Sequence, residues 1–122
     1  MIIHAINKVY GQRFSYGMRS AYIVRNVLKT SEKIHVFSSD IDPEVSNEER
    51  EYVTVLKPHF LQIVVAKLIK LFHKKNKYYF WSRFDVALSR KIRKIPSNTI
   101  EIFHTWTFTP RTFKVLKKKH PS

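Results

Sequence analysis

A chain of 122 residues with 43% hydrophobic and 14% aromatic content can bury a core as one domain, which excludes global disorder. It has no cysteine, which excludes a disulfide scaffold, thiolate metal sites and cysteine nucleophiles. The formal charge of +14 is uneven: residues 1–51 hold seven Lys/Arg against seven Asp/Glu, whereas residues 52–122 hold sixteen Lys/Arg against only Asp85 and Glu101, so attraction for polyanions belongs to the second part.

Residues 2–6, IIHAI, read as a buried strand bounded by Asn7 and Lys8. The apolar run is too short for a signal peptide, and Lys8 follows it. Gly11 and Gly17, the two glycines of the chain, come next, before a helical pattern over 18–29 carrying Met18, Ala21, Tyr22, Val24, Arg25 and Leu28. Residues 34–37 form a second strand pattern, 40–50 an acidic loop with a proline, and 52–56 a short third strand.

Pro58 opens a predicted helix to about residue 75, with apolar residues over roughly half the wheel and Lys67, Lys70 and Lys74 on the polar side. The apolar stretch 60–72 is interrupted by Gln62, Lys67 and Lys70 and is too short and too charged to span a bilayer. A soluble, cytoplasmic protein is therefore expected. The lysines allow peripheral contact with an anionic inner-membrane surface; the other reading of this helix is packing on the sheet with solvated lysines.

A second helix is expected over 78–95, ended by Pro96-Ser97-Asn98, and a fourth strand over 100–103. Thr109 is the expected N-cap of a last helix, with Pro110 at its first position and Phe113 and Leu116 leading into KKKH. Alternation of short apolar strands with amphipathic helices predicts an α/β fold, a Rossmann-like three-layer α/β/α domain. Its parallel sheet should have about four strands in the order 3-2-1-4.

Ligands of such sheets bind at the carboxyl ends of the strands. The glycine loop lies there. Either Gly11 and Gly17 only shape a turn, or they let backbone approach a bound phosphate at a helix N-terminus, with Arg13 and Arg19 as charged donors. Neither G-x-G-x-x-G nor a Walker A loop occurs. The six histidines form no H-x-x-x-H or H-E-x-x-H pattern, so no metal site is expected. His104, after the fourth strand, is either a ligand contact or a hydrogen-bonded core histidine; His4 and His35 read as strand residues satisfied locally. Asp85, alone in a basic helix, is expected to pair with a neighbour such as Arg83. The cluster KYYFWSRF, 77–84, mixes aromatic and basic residues that could stack on a single strand of nucleic acid, or serve as core. No nucleic-acid-binding motif accompanies it, so a nucleic-acid partner is not favoured.

Two stretches together, MIIHAINKVYGQRFSYGMRSAYIVRNVLKTSEKIHVFSSD and NTIEIFHTWTFTPRTFKVLKKKHPS, carry a resemblance. The chain resembles the N-terminal half of the first domain of family-4 glycosyltransferases of the GT-B fold. It is similar in the opening strand, the glycine-bearing loop, the second strand IHVFSSD, and a later strand ending in a histidine, EIFHTW, before a helix with Leu-Lys-Lys and a proline. The resemblance implies transfer of a sugar from a nucleotide-sugar donor to a carbohydrate or lipid-linked acceptor, with no metal or other cofactor. It implies that Gly11, Arg13, Tyr16, Gly17 and Arg19 face the donor phosphates and acceptor, and that His104 and Trp106 contact the acceptor. No pair of glutamates has the family's E-x₇-E spacing. The resemblance therefore implies an acceptor-side portion, inactive without a C-terminal donor-binding domain or second chain, for which a homodimer is a further expectation. The alternative reading is a small basic polyanion-binding module, for nucleic acid or an anionic membrane, without catalysis.

Overall fold

The computed structural model describes residues 1–11, 16–30, 32–56, 64, 68, 78–107 and 109–119, and for residues 16, 78–82 and 97 the backbone alone. Four parallel strands, β1 (Ile2–Tyr10), β2 (Ile34–Ile41), β3 (Val53–Val55) and β4 (Ile102–Thr105), form one sheet in the order β3-β2-β1-β4. This is the expected strand order, in a small Rossmann-like α/β fold. The helices are α1 (Tyr16–Leu28), α2 (Asn47–Arg50), α3 (Tyr78–Lys94) and α4 (Pro110–Lys119), with a 3₁₀ turn at Ser97–Thr99.

The period-two alternation of β1 divides the core between the two faces of the sheet. Ile3 and Ala5 join Phe84, Leu88, Ile92 and Val115 from α3 and α4. Ile6 and Tyr10 join Ala21 and Val24 of α1, with Val36 of β2 and Val45. Burial decides which side of α1 is inward: Gly17, Ser20, Ala21 and Val24 are buried, whereas Met18 and Tyr22 of the expected apolar pattern are 55% and 70% exposed. Within KYYFWSRF, Phe84 is a core residue.

Several boundaries differ from the sequence reading, each for a physical reason. β1 passes through Asn7 and Lys8 to Tyr10 by means of a register shift between Ile6 and Val9. Such a bulge leaves one residue unpaired in the ladder. The Asn7 N–H is satisfied instead by the Thr107 Oγ1 at 2.9 Å. β2 continues through Ser38, Ser39 and Asp40, with the Ser38 hydroxyl donating to the Asp40 carbonyl. β4 begins two residues later than expected, because Ile102 rather than Ile100 pairs with Ile2. The acidic loop contains α2, capped by the Ser46 hydroxyl accepting from the Glu49 N–H. The Glu49 carboxylate then accepts from the Arg25 guanidinium on both oxygens, at 3.1 Å each, and from the Tyr10 hydroxyl at 2.7 Å. Burial and this hydrogen bond push the Tyr10 phenol above its ordinary pKa.

Asp85 is corrected as well. Its carboxylate accepts from the backbone N–H groups of Arg111 and Thr112 and from the Thr112 hydroxyl. Thr109 stands at the expected N-cap position, before Pro110 and with its carbonyl accepting from the Phe113 N–H, while the first-turn N–H groups of α4 are taken by a side chain of α3. The expected helix over 58–75 lies outside the described residues except for Val64 and Leu68, which are helical and 38% and 49% exposed. Among the described residues, no helix is long and apolar enough to cross a membrane.

Candidate functional site

The register of β1 on β4 sets His4 opposite His104. Both side chains lie on the sheet face that α1 covers over β1. Their Nδ1 atoms are 2.9 Å apart, and the rings stack with centroids 5.0 Å apart at 19°. The His4 Nε2 lies 2.7 Å from the Ser20 hydroxyl of α1. Trp106, the first residue after β4, meets both imidazoles edge-on, at 5.3 and 5.4 Å between centroids. Ser20 and His4 are 0% and 1% exposed, while Trp106 is 39% exposed and His104 is exposed. The cluster is a chain of polar contacts leading from a buried hydroxyl to a surface imidazole beside an indole.

Burial is the main cause that lowers the His4 pKa to about 4, and the charge of His104 adds to it. His4 is therefore a neutral ring near pH 7, with one nitrogen donating and the other accepting. Two proton arrangements satisfy both neighbours. In one, the Ser20 hydroxyl donates to His4 and His4 donates to His104. In the other, His104 donates to His4 and His4 donates to the Ser20 oxygen, which leaves the His104 Nε2 as an acceptor. A neutral imidazole in the second arrangement can take a hydrogen bond from a ligand hydroxyl. Ser20 is too buried to act as a nucleophile.

Of the two glycines expected to form a ligand loop, Gly17 meets this cluster through α1. Gly17 is a buried residue in the first turn of α1, one turn before Ser20, and not a loop residue. The Gly11 N–H donates to the Gly17 carbonyl at 3.1 Å. Gly11 ends β1 with φ +85, where side chains are strained, and an added Cβ would lie 2.6 Å from the Val45 Cγ2. Its glycine serves a close approach of the chain to itself. We expect Gly11→Ala to destabilise the fold by about 1–3 kcal/mol, read from the urea midpoint. An unchanged midpoint would mean that the 42–45 segment yields freely.

Of the other residues expected at the site, Arg19 is an exposed residue of α1, and the backbone of Tyr16 opens that helix. Arg13, Lys67, Lys70 and Lys74 lie outside the described residues. Sequence reasoning missed His4 and Ser20, whose roles depend on contacts 100 and 16 residues away along the chain. His35 meets Thr54 on the neighbouring strand, at 2.6 Å from its hydroxyl. Among the described residues, no group of three or more His, Asp or Glu is placed to hold a metal ion. Comparison with models of known families, with curated proteins and with solved structures finds no match for this chain.

Proposed function

We propose that the chain is the acceptor-binding portion of a glycosyltransferase moving a sugar from a nucleotide-sugar donor to a carbohydrate or lipid-linked acceptor. Catalysis would need a donor-binding domain or second chain. One observation carries the reading: the helix that contains Gly17 and the histidine of β4 meet through Ser20, His4 and His104. The half-exposed indole of Trp106 offers an apolar face for the C–H side of a sugar ring, and the His104 Nε2 an acceptor for one of its hydroxyls. Arg19 stands on the α1 surface and would add charge toward a donor phosphate.

The test is ligand-observed NMR of the chain against a panel of neutral saccharides, with Trp106→Ala and His104→Ala as variants. Saturation transfer to sugar C–H protons, lost in Trp106→Ala while the melting curve is kept, is the expected result. Binding indifferent to both variants, or none across the panel, contradicts the reading. A second reading, a polyanion-binding module without catalysis, is favoured by the sixteen basic residues facing two acids in residues 52–122.

A further inference from the structure

We propose that the groove between α3 and α4 is a binding site for a compact ligand carrying two or more phosphate groups. It is distinct from the His4–His104 cluster, since α3 and α4 pack on the opposite face of the sheet from α1. The groove is a cleft of about 510 Å³, within the range that holds a small ligand. Arg90 and Arg93 line it from α3; Arg111, Lys114 and Lys118 line it from α4.

Three observations point to an anion of this kind. First, no acid lines the groove. Seven of the nine acids of the chain lie in residues 1–51, Asp85 is engaged with the N-terminus of α4, and Glu101 lies 3.8 Å from the Met1 amine. Second, among the described residues, no hydrogen bond or ion pair takes up the side-chain charge of Arg90, Arg93, Arg111, Lys114 or Lys118. Five like charges on two adjacent helices repel one another unless an anion lies between them. Third, the two helices are clamped at both ends. The Asp85 carboxylate of α3 holds the first turn of α4. The Lys119 ammonium of α4 donates to the carbonyls of Ile92 and Arg93, at 2.8 Å each, and of Ile95. Those contacts fix the spacing of the two cationic rows before any ligand arrives, which lowers the ordering cost of binding.

The residue types narrow the ligand. Six cations line the groove; Lys119 is held by backbone carbonyls, and of the other five three are arginines, whose planar fork takes two oxygens of one phosphate, and two are lysines, which add point charges. A concave site lined from two sides suits a compact polyphosphate or phosphorylated headgroup better than an extended duplex.

The probe is inorganic tripolyphosphate, titrated calorimetrically into the whole chain. Two groove variants, Arg90→Gln/Arg93→Gln and Arg111→Gln/Lys114→Gln, are compared with Lys29→Gln/Lys33→Gln, which removes the same charge elsewhere. Circular dichroism and melting confirm that each is folded. We expect each groove variant to weaken binding by about tenfold or more and the control by less than about twofold. A second arm uses phosphatidylglycerol vesicles. Vesicle binding that needs the groove residues and is displaced by tripolyphosphate supports the site with a lipid headgroup as source. Tripolyphosphate binding without vesicle binding supports a free phosphorylated ligand. Equal losses in groove and control variants overturn the proposal, as does absence of tripolyphosphate binding. So does binding of duplex DNA or vesicles that tripolyphosphate does not displace.

Discussion

Replacing Asp85 with alanine is expected to lower the thermal midpoint by roughly 10–15 °C, a loss of about 3 kcal/mol. The carboxylate is 1% exposed. One oxygen lies 2.7 Å from the Arg111 N–H; the other lies 2.9 Å from the Thr112 N–H and 2.7 Å from its hydroxyl. These are the donors that a helix leaves orphaned in its first turn, and the carboxylate also faces the positive end of the α4 dipole. Alanine leaves the Thr112 N–H and hydroxyl buried without this acceptor, so the desolvation cost is not recovered. Asp85→Asn keeps one acceptor but turns an amide toward a donor, and should lose about half as much. Thermal melting of both variants checks the ranking. A shift of only a few degrees for alanine would show that water replaces the carboxylate and that α4 is held by packing alone.

Acidification is expected to cost about 3 kcal/mol of stability between pH 6.5 and pH 4 through His4 alone. In the unfolded chain this imidazole takes its proton near 6.5; in the folded chain it does so near 4. Between those values the unfolded state binds more protons, so stability falls as pH falls. The contribution is complete above the unfolded value and is lost by the folded one. His35, lowered by burial, acts in the same direction. The check is the urea midpoint as a function of pH for the unaltered chain and for His4→Gln. The variant should be less stable near neutrality and show a flatter dependence. Parallel curves would mean that His4 is protonated in place, with His104 or Ser20 accepting the change.

The sheet order could be read from the chain because short apolar runs alternate with amphipathic stretches, and β2, β1 and β4 admit few other connections. The lengths of β1 and β2 could not. Asn7, Lys8, Ser38 and Asp40 are polar, and polarity reads as the end of a strand until Thr107 supplies an acceptor and Ser38 turns its hydroxyl to the Asp40 carbonyl. The cap of α2 is passed over, although Ser46 and Glu49 have the spacing of a capping box, because the acidic run with its proline reads as a loop. The Asp85 contacts at the start of α4 could not be read, because Asp85 lies 26 and 27 residues from the groups it serves. At the candidate site, His104 is singled out by the end of an apolar strand pattern and Trp106 by the family resemblance; the structure sets His104 within β4 itself. Their partner His4 is set by register between distant strands, which no local pattern reveals.

The pairing of β1 with β4 also shapes how the chain acquires its structure. A strand near the amino terminus occupies the interior of the sheet, and one of its edges is met by residues about 100 positions later. Closing so long a loop costs entropy before any contact repays it, and topologies of this kind fold slowly. During synthesis, β1 and β2 can associate early, yet the open flank of β1, with His4 on it, waits until β4 leaves the ribosome. That interval is when the nascent chain is most prone to join a stray strand from another molecule.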